Sequence, residues 1–232
     1  MVAVSKIYRY PIKGLSAQPL SNVILDADKP FPHDRIFALV RPGAPIDRND
    51  PKWAKKGLFV MLMLEENLAR VNTSLDPDSL VLTIKQGNQQ VISAQLADEA
   101  DRSKVENFLW QVLPTLRAPP VLVRSAGGHF IDKPDDVISL INLATVRSLE
   151  QQWGIEIDPL RFRANVYIDG AKPWEEFDWV GGEIRIGGAV FAVDRKKAAA
   201  ARPTSIRRPD AAISIFQVRC VPHSATKISA SI

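Results

Sequence analysis

Basic side chains at three points along the chain are of a type that binds a multiply charged anion. Lys13, Arg35 and Arg163 each lie next to a segment rich in β-branched and aromatic residues. One ammonium and two guanidinium groups can together hold a phosphate, with the Asn165 amide and the Thr145 hydroxyl as further hydrogen-bond donors. Taken singly, a lysine or arginine at a strand edge is more often a solvated charge or part of a surface ion pair. The residue types alone therefore leave both interpretations open.

Other residues that often carry chemistry are few in this chain. The acidic run 174–179 (WEEFDW) could supply a general acid or base, but acids that alternate with aromatic rings more often cover a turn while the rings pack inward. His33 and His129 are isolated from other metal ligands, which gives metal binding little support. P-loop, nucleophile-elbow and zincin motifs are missing. With the single cysteine Cys220, redox chemistry would need a borrowed cofactor and a separate electron donor.

The composition is that of an ordinary soluble globular protein of one large or two small domains. Of the 232 residues, 46% are hydrophobic and 24% are charged, and the mean hydropathy is -0.07. No apolar run approaches the roughly 20 residues of a membrane-spanning helix, and the first residues lack the apolar core of a signal peptide. We therefore expect a cytoplasmic protein without a membrane partner.

The elements that must position the candidate side chains are mainly β-strands. Short apolar or β-branched segments between turn-forming residues predict strands at 4–12, 22–26, 36–40, 58–63, 69–72, 80–85, 90–94, 165–168, 183–186 and 189–193. Their close spacing favours a sheet that bends or closes into a barrel. Apolar spacing predicts helices at 101–113 and 143–153, the second ending at Gly154. The segment 114–120 (PTLRAPP) is the predicted boundary between two halves.

Several of these pieces together resemble a known family. The strings YPIKG at 10–14 and DRIFALV at 34–40 are similar to the β-barrel domain that precedes MOSC domains, the module shared with the C-terminal part of molybdenum cofactor sulfurase. The strings that resemble the MOSC core are INLATV at 141–146, DPLRFRAN at 158–165, WEEFDW at 174–179 and IRIGG at 184–188. Their order and spacing both agree with the family.

The resemblance implies a mainly β fold of the α+β type, with an N-terminal β-barrel domain at 1–118 and a MOSC domain, cut short, at 119–197. It implies that the molybdenum cofactor, molybdopterin, is bound by residues at five matching positions, Lys13, Arg35, Thr145, Arg163 and Asn165. In the reductase branch of the family the substrate is a small N-hydroxylated compound, and electrons come from a separate iron–sulfur or flavin protein. A non-catalytic carrier of the cofactor or of sulfur is the alternative. The resemblance also implies pyridoxal phosphate binding.

The chain departs from the family pattern at the metal ligand. The family has a cysteine in an R-C-x-x-T-x-V-x-P string after the strand that matches IRIGG, and its soft thiolate binds molybdenum. That string is missing, and Cys220 lies too late and in a different context, VRCVP. The sequence therefore predicts no metal ligand, and it leaves open whether the chain is an active oxidoreductase.

The tail from Arg195 onward differs in character from the rest of the chain, with a net charge of +7 against −3 for the residues before it. In a reading frame shifted by one base, each codon consists of the third base of one present codon and the first two bases of the next. In that frame, the codons of 202–219 can encode TNVNPTSGCRDLNIPSAL, and the four alanine codons before them can encode RCxA. These letters restore the missing string. We therefore expect that a one-base slip near 194–198 replaced the native ending, and that 198–232 is out of frame and poorly packed. The alternatives are a genuine basic tail and a nucleic-acid-binding arm; no nucleic acid is expected, because the tail has no aromatic stacking partner beyond Phe216.

Overall fold

The fold is mainly β, as the sequence predicts. A computed structural model describes residues 2–27, 29–186, 188–198, 214–221 and 226–230. The helices within them are α1 (Glu99–Val112), α2 (Leu143–Trp153) and short 3₁₀ helices at Lys56–Leu58, Glu66–Arg70, Pro159–Phe162 and Glu175–Phe177. The strands are β1 (Ala3–Arg9), β2 (Gln18–Leu20), β3 (Asn22–Leu25), β4 (Phe37–Val40), β5 (Val71–Leu75), β6 (Val81–Gln86), β7 (Gln89–Gln95), β8 (Val121–Arg124), β9 (Ile138–Asn142), β10 (Val166–Asp169), β11 (Glu183–Ile186), β12 (Ala189–Ala198), β13 (Ser214–Cys220) and β14 (Thr226–Ser229).

The chain divides into two compact units, each made of stretches that are separate in the sequence. The first unit comprises Met1–Arg9, Pro19–Pro32 and Asp136–Ile232, and the second comprises Tyr10–Gln18 and His33–Asp135. Strands β1 and β3 belong with the C-terminal part of the chain because β1 pairs with β10 and β3 pairs with β14. Local composition cannot reveal a boundary that depends on the pairing of strands so far apart in the sequence.

The first unit is built on a seven-stranded sheet in the order β11-β12-β13-β9-β10-β1-β2. Strands β9 and β10 are parallel, and α2 lies in the connection between them, as a parallel pair requires a long crossover. Alternate side chains of neighbouring strands, among them Leu140, Val166 and Phe216, enter one buried core, to which β14 adds Ile228. This alternation directs Ser139 to the opposite face of β9.

The tail forms two strands, contrary to the expectation that 198–232 packs poorly. Strand β13 lies between β12 and β9, and Phe216 and Val218 are fully buried. The expectation is wrong for these strands because Phe216, Val218 and Cys220 alternate with polar residues and so give the sheet an apolar face. Outside the described residues lie 199–213, 222–225 and 231–232. The change of reading frame itself stays a prediction.

The second unit contains a three-stranded antiparallel sheet, β5-β6-β7, and an antiparallel pair, β4 and β8. The strand predicted at 58–63 is wrong. Lys56–Leu58 is a 3₁₀ helix, and an isolated bridge joins Phe59 to Val40. The chain then turns, with Leu64 N donating to Met61 O at 3.0 Å. Buried Phe59 explains the apolar run at this position, which contributes to a core without extending a sheet.

Both predicted α-helices are present. Helix α1 begins at Glu99 because the Asp98 side chain caps it, accepting a hydrogen bond from Asp101 N at 2.9 Å. Helix α2 has the predicted bounds, and it ends at Gly154, whose φ of 65° is in the left-handed region that glycine tolerates. Across the described residues, no helix is both long and apolar enough to cross a membrane.

Candidate functional site

Two of the predicted phosphate-binding motifs meet in the second unit. The backbone of 10–14 runs alongside that of 33–37, where Arg35 N donates to Tyr10 O at 2.7 Å and Phe37 N donates to Pro11 O at 3.1 Å. The contact continues with a hydrogen bond of 2.8 Å from Lys13 N to Phe37 O. Three backbone hydrogen bonds therefore fix the segments that carry Lys13 and Arg35 against each other.

Arg35 is held by its neighbours Asp34 and Tyr10. Asp34 is 3% exposed, its Oδ1 accepts a hydrogen bond from Tyr10 N at 2.7 Å, and its Oδ2 is paired with Arg35 Nη1. The guanidinium carbon lies 4.3 Å from the centroid of the Tyr10 ring, a cation–π contact. His33 and Arg35 have φ values of 57° and 48°, which L-residues adopt at a cost of about 1 kcal/mol or more. The segment accepts this strain at the residues that surround the buried Asp34 carboxyl.

Lys13 places a positive charge at one fixed, largely buried point. Its ammonium donates to Phe130 O at 2.7 Å and to Asp132 Oδ1 at 2.8 Å, and its side chain is 8% exposed. The Nζ atom is also 5.8 Å from the centroid of the Phe59 ring. A carbonyl, a carboxyl and an aromatic face therefore define the ammonium position, and such a fixed donor is suited to a charged ligand.

Gly14 allows the turn after Lys13 to approach another segment closely. Its φ is 84°, and a Cβ atom there would lie 2.8 Å from both Met61 Cα and Val60 O. We expect Gly14→Ala to lower the free energy of unfolding in urea by about 2–4 kcal/mol, through backbone strain and overpacking. Gly43 is a matched control, because its φ is 78° and a Cβ there meets nothing within 4 Å. Equal losses of stability in Gly14→Ala and Gly43→Ala would show that the close approach of Gly14 to Val60 and Met61 does not affect stability.

Asn165 connects three strands of the first unit. Its Oδ1 accepts from Ser139 Oγ at 2.7 Å, its backbone N donates to Ser139 O at 2.9 Å, and its Nδ2 donates to Tyr8 O at 3.3 Å. These contacts join the start of β10 to β9 and β1. Arg163 precedes this point, with a left-handed φ of 54° at the end of the 3₁₀ helix Pro159–Phe162. The RFRAN string thus forms a tight turn at Arg163, and Asn165 then links the start of β10 to β9 and β1.

Thr145 belongs to a second buried network in the same unit. Its hydroxyl donates to Glu176 Oε1 at 2.6 Å and accepts from Trp174 N at 2.8 Å. The other carboxyl oxygen, Glu176 Oε2, accepts from Asn142 Nδ2 at 2.6 Å, and Glu176 is 1% exposed. The network attaches the 174–177 turn to the start of α2. The acidic run 174–179 is therefore structural, because the buried Glu176 carboxyl holds this turn against the start of α2.

Comparison with known protein families finds a match for each part of the chain. The model of the MOSC N-terminal beta barrel domain matches residues 1–117, which is half of the chain, and the model of the MOSC domain matches residues 127–204. The chain belongs to the MOSC family. A curated relative, the molybdenum cofactor sulfurase of Drosophila mojavensis, is 42% identical over 55 residues, which cover 24% of this chain and 7% of the relative. The match thus spans a small part of that much longer protein.

Because the chain belongs to the MOSC family, the predicted site residues can be compared with the cofactor that the family implies, the molybdenum cofactor. Lys13 and Arg35 fit its phosphate, because a fixed ammonium and a fixed guanidinium are the donors that bind phosphate best. For its metal, the sequence lacks the cysteine string that the family has, and Cys220, the cysteine that it contains, is buried in β13. Among the residues that the structure describes, no three His, Cys, Asp or Glu side chains come together.

The five predicted site residues are divided between the two units. Lys13 and Arg35 lie on hydrogen-bonded segments of the second unit, whereas Thr145, Arg163 and Asn165 lie in the first unit. Thr145 and Asn165 belong to different hydrogen-bond networks there.

Sequence reasoning missed the carboxyl groups that accompany these residues. Asp132 pairs with Lys13, Asp34 with Arg35, and Glu176 accepts from Thr145. Asp34 could have been noticed as a neighbour of Arg35, and Asn142 as a typical N-cap before α2. The partnership between Lys13 and Asp132 spans 119 positions and leaves no local signal.

Proposed function

We propose that this MOSC protein binds the molybdenum cofactor and belongs to an oxidoreductase that reduces small N-hydroxylated compounds. The observation that carries the proposal is the bonded pair of segments that present Lys13 and Arg35, within a domain of the MOSC N-terminal type. Reduction of an N–OH group consumes two electrons and two protons, breaks the N–O bond and releases water. A separate iron–sulfur or flavin protein supplies the electrons, because one cysteine cannot hold a cluster.

The five predicted site residues have different tasks in this proposal. Lys13 and Arg35 bind the phosphate of the cofactor directly. Asn165 and Thr145 act by holding β10 and the 174–177 turn in place, because their polar side-chain atoms already bond within the chain. Arg163 has a left-handed backbone, and its proposed role in cofactor binding rests on the match to the family position alone.

Lys13→Met tests the phosphate contact. We expect the variant to retain at most about a tenth of the pterin that the unaltered protein carries, because loss of a charge-assisted hydrogen bond costs about 1.5–3 kcal/mol. The measurement is pterin fluorescence after release and oxidation, with protein purified from cells that make the cofactor. Lys85→Met is the matched control, since Lys85 is an exposed lysine on β6 in the same unit. Equal pterin content in the two variants, both with unchanged melting temperatures, would contradict the proposal.

A non-catalytic carrier of the cofactor is the second candidate. It is favoured by the described residues, which hold the donors for a phosphate but not a thiolate in the family position. A carrier would bind the pterin and show no turnover with a reduced electron donor, even after the family cysteine is restored.

A further inference from the structure

An open groove in the second unit is lined by residues of α1, the end of β6 and the 3₁₀ helix Glu66–Arg70. Its volume of about 400 Å³ is in the range of sites that hold a small molecule. The polar side chains in its lining are those of Asn67, Arg70, Gln86 and Gln111. The groove thus differs in its residues from the proposed cofactor contacts, Lys13 and Arg35.

Helix α1 gives the groove an apolar wall. Phe108 and Val112 are four positions apart, so they lie on the same face of the helix, and both are half-buried against the core of the second unit. Both also line the groove, together with Pro114 just after the helix. An aromatic ring and a branched side chain that the core holds in place form a fixed surface for an apolar ligand group.

Local geometry explains why the polar groups come together. Asn67 and Arg70 are three positions apart in the 3₁₀ helix, a spacing that places two side chains on the same side. Gln86 pairs with Val71, the residue that follows Arg70. Since side chains alternate along a strand, Gln86 lies on the same face of β6 as the buried Ile84. The end of β6 and the 3₁₀ helix therefore present their polar side chains to one place.

The charge of the groove is positive. Arg70 is its one charged lining residue, and its other polar side chains are neutral carboxamides. Arg70 is exposed, and a guanidinium binds a carboxylate through two parallel N–H···O hydrogen bonds. The carboxamide N–H groups are further donors for the same anion. The lining is therefore complementary to an anion that also carries an apolar group.

We propose that this groove binds a small aromatic carboxylate. The carboxylate pairs with the Arg70 guanidinium and accepts hydrogen bonds from the neighbouring carboxamides. The aromatic ring packs against Phe108 and Val112. All the lining residues precede residue 115, so this site is the same whichever reading frame encodes the tail.

The first test uses the unaltered protein and benzoate as the probe, followed by NMR through the side-chain amide signals of Gln86 and Gln111 at constant ionic strength. We expect these signals to shift in a saturable way. Benzamide, which has the ring without the charge, should bind about fivefold to tenfold more weakly, because charge-assisted hydrogen bonds are lost. Acetate, which has the charge without the ring, should also bind at least about fivefold more weakly. Absence of saturable binding, or equal affinities for benzoate and either of the other two compounds, would overturn the inference.

The second test is the substitution Arg70→Gln, which should weaken benzoate binding about fivefold to tenfold because the guanidinium is removed. Its matched control is Arg185→Gln, since Arg185 is an exposed arginine on β11 in the other unit, and benzoate affinity should not change there. Gln111→Glu adds a negative charge to the lining at an exposed helix position and should also weaken binding severalfold. Benzoate binding that is equal in Arg70→Gln and Arg185→Gln would overturn the assignment of the carboxylate to Arg70.

Discussion

Replacing Glu176 with alanine is expected to lower the free energy of unfolding by about 3 kcal/mol. The Glu176 carboxyl is buried and accepts hydrogen bonds from Thr145 Oγ1 and Asn142 Nδ2, both at 2.6 Å. Removal of a buried acceptor leaves its donors unsatisfied, at about 1–3 kcal/mol for each donor without another partner. Asn142 Nδ2 still reaches Lys172 O at 2.8 Å, so most of the loss falls on the Thr145 hydroxyl and on the cavity.

The measurement is urea denaturation followed by tryptophan fluorescence, since Trp174 lies beside Glu176 in the network. Glu176→Gln keeps one oxygen acceptor and a similar volume, so its loss should be about 1 kcal/mol. Glu183→Ala removes an exposed carboxyl on β11 and should change stability by less than about 0.5 kcal/mol. A loss in Glu176→Ala as small as that of Glu183→Ala would show that the network does not stabilise the unit.

The elements that the sequence predicts well are those with local signals. Helix α2 has its apolar spacing, an asparagine at its N-cap and a glycine at its end, and all three act within a few residues of the helix. The strand predicted at 183–186 is flanked by glycines and has the predicted bounds as β11. Local chemistry dictates these elements, so local patterns reveal them.

Other parts of the fold depend on contacts between residues far apart in the sequence. The position of strand β13 is determined by its pairing with β12 and β9. The high net charge of the tail makes the alternating apolar residues of this strand easy to overlook in the sequence. Thr145 is similar, because its hydroxyl points to Glu176, 31 positions later. The motif predicts that a hydroxyl is needed, but the partner appears only in the folded chain.

Shifting the reading frame just before codon 198, so that the chain continues RCxATNVNP, is expected to raise the molybdenum content at least about tenfold. A thiolate is a soft ligand suited to molybdenum. Loss of a group that only supports a metal ligand typically costs about 10–100-fold in metal affinity, so gain of the ligand itself should raise the molybdenum content by at least about tenfold. Lys13 and Arg35 precede the shift and are the same in both chains. Pterin should therefore be found with both chains, and molybdenum mainly with the shifted one.

The measurements are molybdenum per chain by mass spectrometry and pterin by fluorescence, on the same preparations. Serine in place of the restored cysteine should return molybdenum to the level of the present chain. Cys220→Ser in the present chain is the control for the thiol that it does contain, which is buried in β13, and we expect no change there. A fall in molybdenum in that control would identify Cys220 as a ligand and contradict the role given to the restored cysteine.

One observation favours the shifted reading frame and another favours the present one, and a turnover assay distinguishes between the two. The missing cysteine string favours the shifted frame, whereas the buried Phe216 and Val218 of β13 favour a genuine tail. With a reduced electron donor and an N-hydroxylated compound, the shifted chain should form the reduced product and the present chain should not. Equal molybdenum and equal turnover would mean that the present tail is the functional one. Turnover by neither chain, with pterin bound to both, would instead support the carrier.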